Sequence, residues 1–203
     1  MHGRLARGRR HVHDDRRGAP VAVGIPPLVE RALAHAAELG FAKSCSAEAG
    51  RLLHLLAAQR GRERVAEIGT GAGVGTAWLA SALAPGVALW TAEPDAVLAE
   101  AAAALFADDA DVHVLAAPWR DALAPHAPYD LVFYDGGRKQ FPGEEGEAVV
   151  GLLAPGGTVV LDDFRERRPD DPVKAFWLGH PRLAGAELAL SEQESALVCV
   201  RVL

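Results

Sequence analysis

The chain has 203 residues, 50% of them apolar and 24% charged, with a formal net charge of −6. That length supports one domain with a sizeable core, no apolar run approaches the roughly 18 to 20 residues that cross a bilayer, and the acidic excess argues against a nucleic-acid surface. Two distant cysteines, Cys45 and Cys199, read as reduced thiols of a cytoplasmic protein rather than as a disulfide framework or a zinc site.

Met1 to Pro20 carries six arginines, three histidines and two aspartates with almost no apolar content. Such a segment cannot bury enough surface to order itself, so residues 1–20 read as a disordered basic leader. Residues 21–203 read as a single domain that opens with helices over 26–60. The first helix runs from Pro27 to Leu39 with Val29, Leu33 and Ala36 on one face, and Gly40 stops it. Ser46 is a good N-cap for a second helix, with Leu52, Leu53, Leu55 and Leu56 packing on a sheet.

A strand, Val65 to Ile68, then breaks into Gly69, Gly71, Gly73 and Gly75, and a helical pattern follows with Trp78 and Leu79 on its inner face. Strand, glycine turn and helix form the opening unit of an open α/β sheet, whose ligands sit at the carboxyl ends of the strands. The dinucleotide fingerprint G-x-G-x-x-G would need Gly or Ala at position 74 or 76. Val74 and Thr76 stand there, so the turn is not of the NAD kind.

The second strand, Val87 to Ala92, ends in Glu93-Pro94-Asp95. An acid there can accept both hydroxyls of a cofactor ribose, while Asp95 caps the helix Ala96 to Ala107. Strand three is Val112 to Leu115, followed by a loop with Pro118 and Trp119, the latter equally a core residue or a hydrophobic lid. Strand four, Tyr129 to Asp135, is a buried apolar run ending in an acid. A helix from Gly143 to Leu153 leads through Pro155-Gly156-Gly157 to strand five, Thr158 to Leu161, which ends in Asp162-Asp163. Asp171-Pro172 starts a last helix, and strands at 186–190 and 196–202 close as a hairpin.

The sequence Glu67-Ile-Gly-Thr-Gly-Ala-Gly73, Glu93 after strand two, Tyr129-Asp-Leu-Val-Phe-Tyr-Asp135 and Leu152-Leu-Ala-Pro-Gly-Gly157 together resemble the class I S-adenosylmethionine-dependent methyltransferases. The N-terminal helices and the acids Asp135, Asp162 and Asp163 are similar to the catechol and caffeoyl-CoA O-methyltransferase branch. The resemblance implies an α/β fold: a seven-stranded, mostly parallel, doubly wound sheet with a C-terminal antiparallel hairpin, helices on both faces and an N-terminal helical extension. It places S-adenosylmethionine on Ser44, Glu67, Gly69, Thr70, Gly71, Gly73, Thr76, Glu93, Pro118, Trp119 and Asp135.

That branch holds a divalent metal with an Asp after strand four and an Asp-Asn pair after strand five. Here Asp135, Asp162 and Asp163 occupy those places, and oxygen ligands suit Mg²⁺ or Mn²⁺. Alternatively Arg138 or Arg165 could neutralise the acids, leaving no need of metal. The branch also carries a lysine three residues after the strand-four Asp. Position 138 is Arg, which stays protonated and cannot serve as a base. Lys139 is next to it, expected to point elsewhere if the local turn is kept; Asp135 and Lys139 are the candidate catalytic residues.

The resulting expectation is an O-methyltransferase acting on a small hydroxylated molecule, with or without a divalent metal, forming no complex with nucleic acid or membrane and free to form a homodimer. A metal-independent enzyme acting on nitrogen or carboxyl groups, and a non-catalytic nucleotide-binding protein, are the competing readings.

Overall fold

The computed structural model describes residues 24–136, 138–164 and 171–202. The expected leader lies outside them, as does most of the segment that follows strand five, Arg165 included. Two N-terminal helices, α1 (Pro27–Glu38) and α2 (Ala47–Ala57), come first. The Ser46 hydroxyl caps α2 by accepting a hydrogen bond from the Ala49 N–H at 3.0 Å, which satisfies one of the donors every helix start leaves open.

Alternating strands and helices follow: β1 (Arg64–Ile68), α3 (Val74–Ala80), β2 (Ala88–Ala92), α4 (Ala96–Leu105), β3 (Val112–Leu115), α5 (Trp119–Leu123), β4 (Tyr129–Tyr134), α6 (Pro142–Leu152), β5 (Leu153–Phe164) and α7 (Pro172–Gly179). Strands β6 (Leu183–Ala189) and β7 (Ser195–Arg201) close the chain. They form one seven-stranded sheet in the order β3-β2-β1-β4-β5-β7-β6. Pairing is parallel from β3 through to β5, and β7 runs antiparallel to both β5 and β6.

Successive side chains of a strand point to opposite faces, and each face has its own core. Val65, Leu89, Leu131 and Phe133 pack with Val29, Leu53, Trp78 and Leu79 of the first three helices. Ala66, Ile68, Val132 and Tyr134 pack with Trp119, Leu123, Val149 and Trp177 of α5, α6 and α7. The seven strands, the hairpin and the helices on both faces match the expected architecture.

Several details differ from the sequence reading. Leu33 and Leu55 are exposed, at 40% and 65%, while Ala32, Ala36 and Ala57 are buried. Both helices lie close to their neighbours, so small residues take the inward positions; Gly50 faces the indole of Trp78 with no room for a Cβ. Strand β5 is longer than Thr158 to Leu161 because Leu153 already pairs with Tyr129 across a register shift. At the other end Phe164 pairs with Ser195 beyond a second register shift, so Asp162 and Asp163 lie inside β5 rather than after it. Trp119, expected in a loop, opens α5.

Candidate functional site: a cleft at the carboxyl ends of the strands

The turn after β1 depends on backbone that only glycine adopts freely: Gly69, Gly71 and Gly73 have φ of 99°, 52° and 87°. A Cβ on Gly71 would lie 2.7 Å from the Phe41 ring, which sits over the turn. The N–H groups of Gly69 and Thr70 both donate to the Ala92 carbonyl, at 3.0 and 3.3 Å, tying the turn to β2.

Glu67, 1% exposed, lies beneath this turn. Its Oε2 accepts from the hydroxyl of Thr91 at 2.7 Å and from that of Thr76. Thr70 and Thr91 hydroxyls are 2.6 Å apart, so the chain of hydroxyls runs from the turn down to the carboxylate. Burial pushes the Glu67 carboxyl up to about 7, against the hydrogen bonds from Thr76 and Thr91. Glu67 and Thr76, read from the sequence as cofactor contacts, brace the turn from below. Gly73 is the N-cap of α3.

Glu93 closes the other side. Its Oε2 accepts from Gly71 N–H at 2.9 Å and its Oε1 from Asp95 N–H at 3.0 Å. Asp95 separately caps α4 through Val97 and Leu98 N–H, so Glu93 is not consumed as a helix cap. Glu93, Ser44, Gly69, Thr70, Gly71 and Asp135 line one chamber together with Phe41, Lys43 and Cys45. Gly69 also borders an apolar slot of about 330 Å³ formed by Ile68, Ala92, Pro94, Pro118 and Trp119. Trp119 is 8% exposed: it is core on one side and slot wall on the other. Cys45 and Cys199 are free thiols, and burial, followed by the charge of Asp135, pushes the Cys45 thiol well above its ordinary value.

A third space, lined by Ala42, Lys43, Ser44, Cys45, Asp135 and Asp163, opens beside the first chamber. Here Asp135, at the end of β4, meets Asp162 and Asp163, with one oxygen of each within 4.8 Å of the others. Lys139 reaches into this group: its Nζ is 2.9 Å from Asp162 Oδ1, 3.0 Å from Asp163 Oδ2 and 3.6 Å from Asp135 Oδ1. The sequence reading had Lys139 pointing elsewhere, and the correction has a backbone cause. Arg138 sits in the left-handed region at φ 67°, which turns its own side chain out over the Phe141 ring, 5.0 Å away, beside the apolar slot. The next residue then faces the acids.

Burial and the charge of Asp162 push the Asp135 carboxyl up to about 9. Burial acts to lower the Lys139 amine, but the charges of Asp162 and Asp135 more than offset it and hold Lys139 firmly cationic. Phe41 and the direction of Lys139 were missed from the sequence. An aromatic directly after the helix-stopping Gly40 was a signal for Phe41; no residue type signals a left-handed arginine.

This topology is that of the class I methyltransferase fold, and three solved structures share it over most of their length. The O-methyltransferase from Bacillus cereus, in complex with SAH, is 22% identical, with a TM-score of 0.73 over 89% of this chain and 94% of that one. The O-methyltransferase TomG from Streptomyces achromogenes, involved in tomaymycin synthesis and in complex with SAM, is 25% identical, with a TM-score of 0.70 over 89% and 92%. Cofactor-bound Rv0187 from MTB is 24% identical, with a TM-score of 0.75 over 90% and 93%. Residues 66–164, from β1 through the glycine turn to the acids of β5, match the family model described as a methyltransferase domain. No curated protein matches the chain significantly.

Proposed function

We propose that the protein is an S-adenosylmethionine-dependent O-methyltransferase acting on a small hydroxylated molecule. The observation that carries this reading is Glu93, whose carboxylate spans Gly71 N–H and Asp95 N–H on the wall of the chamber. A carboxylate has lone pairs beyond those two bonds, so Glu93 can also accept from both hydroxyls of a ribose. The slot between Ile68, Pro94, Pro118 and Trp119 suits a planar base, and Phe41, Ser44 and the glycine turn suit the methionine arm. When bound, the sulfonium supplies an electrophilic methyl group. The protein's own part is to hold that methyl in line with an acceptor oxygen and to exclude water.

In this reading the acceptor lies in the space bounded by Ala42, Lys43, Ser44, Asp135 and Asp163. Its oxygen must lose a proton as the methyl arrives. Asp135 is the proton acceptor we assign, acting through its ionised form, which becomes the major form only as pH passes about 9; the Lys139 ammonium screens the charge that develops on the oxygen. A lysine kept cationic by three acids does not itself serve as the base. Three aspartate oxygens are a suitable donor set for Mg²⁺ or Mn²⁺, but the Lys139 Nζ stands among them at 2.9 to 3.6 Å. An ammonium and a divalent ion cannot share that space, so the residues as arranged do not fit the metal.

The test is turnover: with labelled S-adenosylmethionine and a panel of small phenols and other hydroxylated acceptors, the protein should release S-adenosylhomocysteine in proportion to methylated product. Cofactor binding with no methyl transfer to any hydroxyl, but transfer to amines or carboxylates, would overturn the O-directed reading.

A further inference from the structure

We propose that Lys139 is a built-in cation that takes the place of a divalent metal among Asp135, Asp162 and Asp163, so that the acceptor side of the cleft works without a bound ion. The inference deepens the methyltransferase reading and rests on it only for the consequence in catalysis.

Geometry carries it. The Lys139 Nζ lies within ion-pair distance of a carboxylate oxygen from each acid and 3.3 Å from the Asp162 carbonyl oxygen. An ion bonded at about 2.1 Å to the same Asp162 and Asp163 oxygens would be driven against that ammonium. The backbone on both sides is set for this pairing. Among the described residues, Arg138 and Asp163 are the two non-glycine positions with positive φ, both at 67°. Such residues are uncommon, and strain of this kind persists where surrounding structure over-determines it. One of these turns directs Lys139 into the acids; the other directs Asp163 onto Lys139. Asp162, 1% exposed, is anchored between them. A buried carboxylate needs a paired charge, and Lys139 provides it from four residues beyond Asp135 on the same segment.

The experiment is a titration with Mn²⁺ followed by the electron paramagnetic resonance signal of the free ion, on wild type, Lys139→Met and Lys139→Met/Asp162→Asn. Calorimetry with S-adenosylhomocysteine on each variant reports folding and the cofactor site independently of the ion. Wild type should leave millimolar Mn²⁺ free. Lys139→Met should bind Mn²⁺ more tightly by about tenfold or more, the removal of one repelling charge at contact distance, and the added Asp162→Asn should abolish that gain. Lys139→Gln carries the same expectation if Lys139→Met does not fold. Mn²⁺ binding to wild type as tight as to the lysine variants would overturn the proposal. So would no Mn²⁺ binding by folded lysine variants, since Lys139 would then not be what excludes the ion. A wild type that fails to bind S-adenosylhomocysteine would instead count against the methyltransferase reading and leave the ion result to stand alone.

Discussion

Glu93 and Gly71 are joined across the mouth of the cleft by a 2.9 Å hydrogen bond from the Gly71 N–H to the Glu93 carboxylate. One residue follows β2 and the other belongs to the turn after β1, so the bond fixes the spacing of two strand ends that border the proposed cofactor chamber. Replacing Glu93 by alanine removes this tie together with the proposed ribose acceptor. Glu93→Ala should weaken S-adenosylhomocysteine binding by roughly 1 to 3 kcal/mol, the scale for hydrogen bonds to a charged group. Calorimetric dissociation constants for the two proteins measure it, and an unchanged constant would remove Glu93 from the ribose.

Gly71 and Phe41 form a second checkable pair. Gly71→Ala forces a left-handed alanine, at a cost of about 1 to 2 kcal/mol, and pushes a methyl group to 2.7 Å from the Phe41 ring. Phe41→Ala should relieve the second part and not the first. A double-mutant cycle in urea should therefore show coupling of about 0.5 kcal/mol or more; strict additivity would mean the ring does not rest on the turn in solution.

The Glu67 carboxyl gives a pH dependence with a definite sign. Its ordinary value is 4.5, and in the folded protein burial raises it to about 7. Between those values the folded state holds a proton that the unfolded chain has lost, so this group's contribution to stability falls as pH rises through the window and levels off above about 7. The size is roughly 3 kcal/mol, from the rise between 4.5 and about 7 at 1.36 kcal/mol per pKa unit. Glu67→Gln has no such group. Wild-type stability minus Glu67→Gln stability, from urea midpoints, should decline from pH 4.5 to 7. The raised carboxyl of Asp135 is present in both proteins, and because burial and Asp162 raise it more than Glu67 does, most of its contribution cancels in the difference. A flat difference would show that Glu67 is not buried as described.

Much of this arrangement was legible in the sequence because it rests on local chemistry. The run Val65 to Ile68 breaking into glycines, the capping Ser46, Asp95 and Asp171, and the acids that end β2 and β4 each have a residue-level cause. What misled was size. In α1 and α2 the large residues Leu33 and Leu55 marked an inner face that alanines and Gly50 in fact occupy, because helices packed this closely exclude larger side chains. Pro155-Gly156-Gly157 read as a boundary, yet β5 continues through it by a register shift. The three acids do meet, but the sequence points to a divalent metal, or to Arg138 or Arg165, as their counter-charge. A single left-handed residue hands that place to Lys139, and a backbone angle at an arginine leaves no trace in composition or spacing.

The cofactor proposed for the cleft is S-adenosylmethionine and not a dinucleotide. Calorimetry with S-adenosylhomocysteine and with NAD, on the same preparation, tests it most directly. One-site binding of S-adenosylhomocysteine and no heat of binding with NAD are expected, because Val74 and Thr76 stand where the dinucleotide turn needs Gly or Ala. Saturable NAD binding with no response to S-adenosylhomocysteine would contradict it.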